Sequence, residues 1–521
     1  MPSLIARLAT EPAPLRWIER QVWHPWLIVG LVSMGAFIGQ LDATIVQLAL
    51  PTLGRYFDAP LQHVSWIALS YLAAFVSFLP IFGRLCEMFG RKTLYLVGYL
   101  IFILATALCG LASSFEQLVV FRFLQGVGGS LLGANSISIL VKTVSAEQRG
   151  RALGWFAAAQ AVGMSAGPVL GGLILASLGW RSIFWLTAPV GAVAFVIGWL
   201  ALPRSTGGQP ERAFDWGGML LIGPALVLIV AVLNHVSTSG LDSPATLGGL
   251  AIAALLLALL AWRERAFHAP LIDPALFRNA AFCSAAAGVA LGYAQLFGMF
   301  FLMSFAQGHG FGEPPGVAGL HLAIIPVAIG LTAPFSSTVK ERLGGRWIGM
   351  AGMALSFFAV VLLFATLGRV ENHRLFDGLA YALFGIGLGL YIAPNNQVAI
   401  AAVPPALAGP AGSLLNLMRA LGTSLGVAGG ATMLALNLDS PDGSAQAWFA
   451  SSGAEMLAAV RHSLPLLGAS VALAGLAAWY AARMVEERRA RDESAGRGSE
   501  AERAAVLPGV RGAGKRARLP V

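Results

Sequence analysis

The stretch from Trp26 to Leu50, WLIVGLVSMGAFIGQLDATIVQLAL, decides how the rest of the chain is interpreted. It has about 25 residues, which is long enough to cross a bilayer as a helix, and its one charged residue is Asp42. A carboxylate at that depth costs roughly 2.5–3.5 kcal/mol on insertion scales. Because acids are kept in such helices mainly where they face a water-filled path, we predict that Asp42 carries a proton in a membrane transporter.

The composition supports a polytopic membrane protein. Of the 521 residues, 57% are hydrophobic and 11% are charged, whereas soluble domains average about 25% charged residues. The apolar runs are continuous rather than alternating, which excludes a transmembrane barrel and makes the fold class all-α. The three cysteines are scattered, and the sequence contains no P-loop, no nucleophile elbow and no metal-ligand spacing. We therefore expect no enzyme activity, no cofactor and no metal site.

The apolar runs predict fourteen membrane spans, numbered in chain order. Each is long enough to cross a bilayer, and their ends are uncertain by a few residues. The spans are 26–50, 63–82, 93–113, 115–141, 151–178, 182–202, 216–235, 245–262, 280–306, 315–338, 347–368, 375–402, 406–436 and 462–483.

The basic residues give the orientation. With the N-terminus in the cytoplasm, 27 of the 34 Lys and Arg residues fall on the cytoplasmic side, five fall outside, and Arg122 and Arg419 lie within spans. This asymmetry favours an even number of spans with both termini in the cytoplasm. It also explains the net charge of +9 without a nucleic-acid partner, because the charges sit in short loops and in the tail, where they meet membrane lipid.

An internal repeat divides the chain. The segment 83–92 reappears in altered form as 337–346, with an offset of 254 residues between matching positions. The same offset places the start of span 1 on the start of span 9, so spans 1–6 and 9–14 are two homologous six-helix bundles, an arrangement typical of transporters. The predicted units are a cytoplasmic segment (1–24), an N-terminal bundle (25–203), a linker with two extra helices (204–278), a C-terminal bundle (279–484) and a disordered cytoplasmic tail (485–521).

The segment 83–92, which joins spans 2 and 3, is a candidate conformational latch. Gly83 and Gly90 permit a tight turn, and Arg84 and Arg91 flank Glu87, which can pair with an arginine or with a helix N-terminus. Charge pairs of this kind can hold the inner face in one conformation and break in the other. The alternative is that the basic residues only set the orientation of the chain.

Span 4 contains Arg122, an intramembrane cation that needs a counter-charge or a group of carbonyls. Counted from the outer ends of their spans, Asp42 lies roughly 12 Å deep and Arg122 roughly 10 Å deep, at 1.5 Å per residue. Proximity to Arg122 would favour the ionised carboxylate, and separation would favour its protonation. This switch is our prediction for the proton coupling, and a static ion pair or an Arg bound to carbonyls is the alternative.

Span 5 carries a run of glycines around a proline. Glycines four apart let helices approach closely, and a proline inside a helix bends it. We predict that this run forms a flexing gate helix. Its residues are Gly163, Gly167, Pro168, Gly171 and Gly172.

Four features together resemble the major facilitator superfamily, specifically its fourteen-helix drug–proton antiporters: Leu41–Pro51, Gly83–Lys92, Arg122–Gly129 and Gly163–Gly172. The resemblance covers spans 1–14, about residues 26–483. It implies export rather than uptake, driven by the proton gradient, in the cytoplasmic (inner) membrane of a bacterium. In double-membrane bacteria some relatives dock a periplasmic adaptor and an outer-membrane channel, which are therefore candidate partners of a protein that we expect to be a monomer.

The resemblance also implies roles for single residues. Asp42 corresponds to the proton-coupling acid, Arg122 to the proton-linked arginine of span 4, Glu87 to the charge-relay acid, and Gly167 with Pro168 to the antiporter bend. The chain departs from the family pattern at Glu87, where Asp is usual, and at Gln47, where Asn is usual.

In this fold the substrate cavity is implied to lie between spans 1, 4, 9 and 12. Taken singly, polar residues of these spans more often form hydrogen bonds between helices than contact a ligand. The candidates for the cavity are Gln47, Gln125, Asn135, Tyr293, Gln295, Tyr391, Asn395, Asn396 and Gln397. In spans 9–14 we find no further acid except Asp377, near a helix end, which argues against polycationic substrates and favours neutral, zwitterionic or anionic amphiphiles.

The sequence thus predicts a proton-driven exporter of small amphiphilic compounds. Two alternatives remain open. One is a proton-coupled transporter dedicated to a single metabolite, lipid or siderophore. The other is a membrane sensor that keeps the fold without transport, although no soluble signalling domain is attached.

Overall fold

A computed structural model describes residues 11, 13–205, 215–240, 242–267, 271–404, 407–438 and 451–505. The side chains of residues 62, 87, 146, 237–239, 337 and 489–505 are outside this description. Fourteen long helices follow the order of the predicted spans. They are α1 (His24–Phe57), α2 (Trp66–Phe89), α3 (Arg91–Leu111), α4 (Phe115–Thr143), α5 (Arg149–Ser177), α6 (Arg181–Ala201), α7 (Trp216–Ser239), α8 (Pro244–Ala266), α9 (Ala280–Phe305), α10 (Pro315–Thr332), α11 (Gly345–Thr366), α12 (His373–Ala401), α13 (Ala408–Asn437) and α14 (Gly453–Ala505).

The all-α membrane fold is confirmed. Within the described residues, thirteen of the fourteen helices are long and apolar enough to cross a membrane. The remaining helix, α13, has 30 residues and is long enough, but it is less apolar and carries Arg419. Its length and its packing inside the bundle place it with the other spans.

The two halves repeat each other in backbone conformation as well as in sequence. Gly90 has φ 98° and directly precedes α3, and Gly344, which is 254 residues later, has φ 88° and directly precedes α11. Only glycine adopts such angles without strain, so the repeat keeps a glycine at each of these turns. The segment between Gly83 and Phe89, which we predicted to be a loop, is helical, because its apolar residues continue the pattern of α2.

Each half packs its helices in the same way. In the N-terminal half α1 packs on α5 and α4 packs between α2 and α3, while in the C-terminal half α9 packs on α13 and α12 packs between α10 and α11. The halves meet along two seams, α5 with α10 and α2 with α13. The internal repeat relates α5 to α13 and α2 to α10, so it maps one seam onto the other. The inserted helix α7 lies at the second seam, in contact with α2 and α13, and α8 packs on α7.

The last helix differs most from the prediction. We expected span 14 to begin at residue 462 and the chain to be disordered from 485, whereas α14 runs from Gly453 to Ala505. Two contacts support the extension: Arg483 Nε donates to Glu487 Oε1 at 2.7 Å, and Arg346 Nε donates to Glu486 Oε2 at 3.0 Å. Alternating acids and arginines of high helix propensity allow the helix to continue beyond the apolar span. Residues 506–521 of the predicted tail lie outside the described residues.

Candidate functional site

Asp42 and Arg122 form a buried ion pair between α1 and α4. Arg122 Nη1 donates to Asp42 Oδ2 at 2.7 Å, and the Arg122 and Asp42 side chains are 1% and 2% exposed, respectively. The equal depth predicted by counting residues along the two spans is therefore confirmed. A pair removed from water in this way is maintained only when its remaining hydrogen-bonding groups are also satisfied.

Gln125 and a backbone carbonyl complete this network. Arg122 Nε donates to Ile67 O at 3.1 Å, so the arginine has both a counter-charge and a carbonyl partner. Gln125 Oε1 accepts from Arg122 Nη1, and Gln125 Nε2 donates to Asp42 Oδ1 at 3.0 Å and to Thr106 Oγ1 at 2.8 Å. Gln125, predicted for the substrate cavity, instead belongs to this ion-pair network, where it fixes the orientation of both charged groups.

Tyr71 on α2 separates this network from the centre of the protein. The guanidinium carbon of Arg122 lies 4.6 Å from the centroid of the Tyr71 ring, which is within the range of a cation–π contact. The same residue lines the central cavity. Tyr71 also fits against Gly129 on α4, where a Cβ would come within 2.7 Å of the phenol oxygen.

A cavity of about 130 Å³ lies between the two halves. Residues of α1, α2, α4 and α5 line it from one half and residues of α9 and α13 from the other, together with Phe102 of α3. None of the described lining residues of this cavity lies on α12, and α13 occupies that side. Of the nine residues predicted for the cavity, only Tyr293 is among its described lining.

Three of the predicted residues on α9 and α12 contact the backbone of neighbouring helices instead. Tyr391 Oη donates to Gly288 O at 2.7 Å, and Asn395 Nδ2 donates to Ala285 O at 2.9 Å, so both connect α12 to α9. Gln295 Nε2 faces Ser470 O on α14 at 3.5 Å. Polar side chains in apolar helices are most easily satisfied by a neighbouring carbonyl, which is why these residues lie between helices and not in the cavity.

The other four predicted cavity residues are also elsewhere. Asn135 Nδ2 donates to Leu131 O within α4 at 3.0 Å, and Gln47 on α1 is buried. Gln397 is exposed at the end of α12, where its Oε1 accepts from Lys340 Nζ at 3.3 Å. Asn396 is half-buried beside it, outside the described lining of the cavity.

Arg419 on α13 is the feature of the cavity that sequence reasoning left without a role. Its guanidinium carbon lies 5.1 Å from the centroid of the Tyr293 ring, and both residues line the cavity. Neutral polar side chains contribute further hydrogen-bonding groups. These are Gln40, Gln160, Asn416 and Thr423. A lone arginine in a membrane span was the available signal, because such a charge normally faces an interior cavity or a partner.

The glycines of α5 bring this helix into direct contact with α1. A Cβ at Gly163 or Gly167 would lie 3.1 Å from backbone atoms of α1, and one at Gly171 would press on a side chain of α1. The α1 residues at these three contacts are Phe37, Leu41 and Ile45. Spacing of four residues therefore produces one continuous close-packed face, as predicted from the glycine pattern.

The same helix contacts α10 of the other half through Pro168 and Gly172. A Cβ at Gly172 would lie 3.1 Å from Gly316 Cα and closer still to Pro315 O, and a Cβ at Gly319 would press on Pro168 O. The predicted gate residues thus form the α5–α10 seam between the halves. Their opening and closing during transport remains a prediction.

A further contact joins the halves beyond this seam. Near the end of α1, Arg55 Nη2 donates to His309 Nδ1 at 2.7 Å, just after α9. The ends of α1 and α9 therefore lie together on one face of the protein, and this face is closed between them.

The predicted latch contacts the N-terminal segment and the end of α6. Lys92 Nζ donates to Leu202 O at 2.6 Å, and the backbone N–H of Arg91 donates to Ser205 Oγ at 2.7 Å. Glu11 accepts from Ser205 Oγ at 2.9 Å and from the backbone N–H of Thr93 at 3.3 Å.

The other predicted latch residues lie in and directly after α2. Gly90 lies against Glu11, Gly83 lies inside α2, and the Arg84 side chain is half-buried. The side chain of Glu87 is outside the described residues. The latch role of this segment stays a prediction.

Comparison with known proteins places this geometry in a family. The chain is 30% identical over 405 residues to the riboflavin transporter RibZ of Clostridioides difficile, covering 77% of this chain and 87% of that protein. It is also 30% identical over 405 residues to the tetracenomycin C resistance and export protein of Streptomyces glaucescens, covering 78% of this chain and 75% of that protein. Its fold is similar to that of a bacterial homologue of the human lysosomal transporter Spinster, with a TM-score of 0.65, 14% identity, and 90% and 98% of the two chains covered.

The family model described as Major Facilitator Superfamily matches residues 32–427. This range includes the ion pair, the gate helix, the cavity and both seams. The protein is accordingly a membrane transporter and not an enzyme, and it belongs to the major facilitator superfamily.

Proposed function

We propose that this transporter exports small amphiphilic compounds across the cytoplasmic membrane of a bacterium, in exchange for protons and by alternating access. The Asp42–Arg122 pair is the observation that carries the proposal. It is the one ion pair buried on both sides among the described residues, and it joins two helices that both line the cavity. Drug export is supported by the similarity to a resistance and export protein.

The ion pair supports proton coupling because its two partners are on different helices. When α1 and α4 are together, Arg122 offsets the charge of the Asp42 carboxylate. If the helices separate, the carboxylate loses its counter-charge in an apolar environment, and protonation becomes the cheaper way to neutralise it. Binding and release of a proton are then tied to the relative position of the two helices. The proton gradient drives the cycle, and no cofactor is required.

Alternating access is supported by the two seams. The outer face, defined as the face at which α1 ends, is closed by the α5–α10 seam and by the Arg55–His309 contact. The repeat relates this seam to α2–α13, so opening one seam while closing the other exchanges two equivalent arrangements. Basic residues are in excess in the loops on the face opposite this outer face, which supports a cytoplasmic location of both termini. We infer that a single chain performs this cycle. In a double-membrane host we also propose a periplasmic adaptor and an outer-membrane channel as partners.

Reconstitution into liposomes with an imposed pH gradient tests the proposal. Riboflavin and tetracenomycin C are the first probes, because they are named for two similar proteins. We expect a transported compound to cause proton release from wild type and not from Asp42→Asn. The matched control is Asp377→Asn, which removes a buried acid outside the described cavity lining. Equal proton release from wild type and Asp42→Asn with every transported compound would refute the proton role.

Transport of a single metabolite is the second candidate, and the similarity to a riboflavin transporter favours it. The two candidates differ in selectivity. A dedicated transporter should move one of the probes and exclude structurally unrelated amphiphiles, whereas a drug exporter should move several. The same liposomes distinguish them when the probes compete with each other.

A further inference from the structure

The charge of the central cavity is unbalanced. Among its described lining residues, Arg419 is the only charged side chain. Asp42, the buried acid of the N-terminal half, is 1% exposed and lies in the network behind Tyr71. The cavity therefore presents a fixed positive charge to whatever enters it.

Arg419 also retains unused hydrogen-bonding capacity. Its Nε is buried and has no hydrogen-bond partner in the part of the chain that the structure describes. The guanidinium carries five N–H donors in a planar fork. A charge in such a location is costly unless something neutralises it, and a carboxylate fits the fork with two parallel hydrogen bonds. The guanidinium carbon lies over the Tyr293 ring, 5.1 Å from its centroid, a contact that brings no negative charge to Arg419.

The rest of the cavity is suited to a flat apolar body. Aromatic side chains from both halves line it, including Phe75 on α2, Phe156 on α5 and Phe297 on α9. Stacked or edge-on packing against such rings favours planar ligands. The neutral polar groups Gln40 and Asn416 can hydrogen-bond to carbonyl or hydroxyl groups of the ligand without selecting a charge.

We propose that Arg419 selects the substrate by binding an anionic group, so that this cavity takes planar aromatic compounds bearing one carboxylate or a comparable single negative charge. The proposal rests on the export function proposed above and specifies the class of compound exported. It gives the two charged centres separate tasks, with Asp42 serving the proton and Arg419 the substrate. Cationic compounds bind poorly because the fixed charge repels them.

Equilibrium binding to the purified full-length protein tests this assignment without requiring transport. The probes are anthracene-9-carboxylate and its neutral carboxamide, which differ in charge and little in shape. Because the carboxylate pairs with the guanidinium charge through two parallel hydrogen bonds, whereas the neutral amide offers one acceptor oxygen, we expect wild type to bind the carboxylate about tenfold or more tighter than the amide. Arg419→Gln should abolish this preference while leaving amide affinity within about twofold, and Arg419→Lys should keep part of it, since lysine provides the charge without the fork.

Two results would overturn the assignment: equal binding of acid and amide by wild type, or an unchanged preference in Arg419→Gln. The wild-type comparison needs no variant, so it stands even if Arg419→Gln fails to fold. Failure of the proposed export function has a different signature. In that case wild type would still prefer the carboxylate in the binding experiment, but no compound would cause proton release from liposomes.

Discussion

The α5–α10 seam predicts that one added methyl group will open the outer face. In Gly172→Ala the new Cβ would lie 3.1 Å from Gly316 Cα and closer to Pro315 O, whereas ordinary van der Waals contact of a Cβ begins at 3.4 Å. Both obstacles are backbone atoms, so no side-chain rotation relieves them and α5 must move away from α10. Overpacking of this kind costs about 1–3 kcal/mol. If the strain is released when the seam opens, the equilibrium shifts toward the outward-open state by roughly 5- to 150-fold.

Thiol labelling measures this shift. A reporter is introduced as Ala43→Cys in the cavity lining, in a Cys283→Ser background, since the other two cysteines are buried. A membrane-impermeant maleimide added at the outer face should label the Gly172→Ala protein faster by about the same factor. The control is Gly154→Ala, also on α5, where a Cβ meets nothing within 4 Å. If folded Gly172→Ala is labelled no faster than Gly154→Ala, the seam does not hold the outer face closed.

Three further substitutions test the buried acids and the N-terminal segment. Asp42→Asn should lower the melting temperature of the purified protein, because it leaves Arg122 buried without a counter-charge at a cost of about 3–5 kcal/mol. Asp377→Asn should not lower the melting temperature. Asp377 is fully buried, accepts one hydrogen bond from Gln307 and has an unpartnered Oδ1 among the described contacts. The reverse order of melting temperatures would contradict both arguments. The Thr93 amide donates to the Glu11 carboxylate at 3.3 Å. Glu11→Gln should therefore accelerate hydrogen exchange at this amide by about tenfold or more. Unchanged exchange would show that this contact does not hold the N-terminal segment.

The parts of the fold that depend on composition along one helix were predictable. The fourteen helices follow from continuous apolar runs, and the equal depth of Asp42 and Arg122, which permits their contact, follows from span direction and rise per residue. The turn at Gly90 and its repeat at Gly344 follow from matching sequence positions. Each of these inferences needs only distance along the chain.

The cavity lining depended on which face each helix presents, and this was not predictable from residue type. Amides such as Asn395 look like ligand contacts in a sequence, yet the Nδ2 of this residue donates to a nearby carbonyl of α9. Arg419 was visible as a charge within a span, but its position depends on α13 replacing α12 at the cavity. Side-chain orientation is determined by the packing of neighbouring helices, which a single helical pattern does not contain.

The separation of Asp42 from the cavity has a consequence for the efficiency of energy conversion. If Asp42 carries the proton, as we propose, the position of Tyr71 between the ion pair and the cavity prevents a substrate from displacing that proton by direct competition for the carboxylate. Nothing at the proton site itself then senses whether the cavity is loaded. The barrier against futile cycling, in which an empty transporter dissipates the gradient, must be the motion of α1 and α4. Looser packing around Tyr71 should therefore appear as proton leak before it appears as loss of substrate binding.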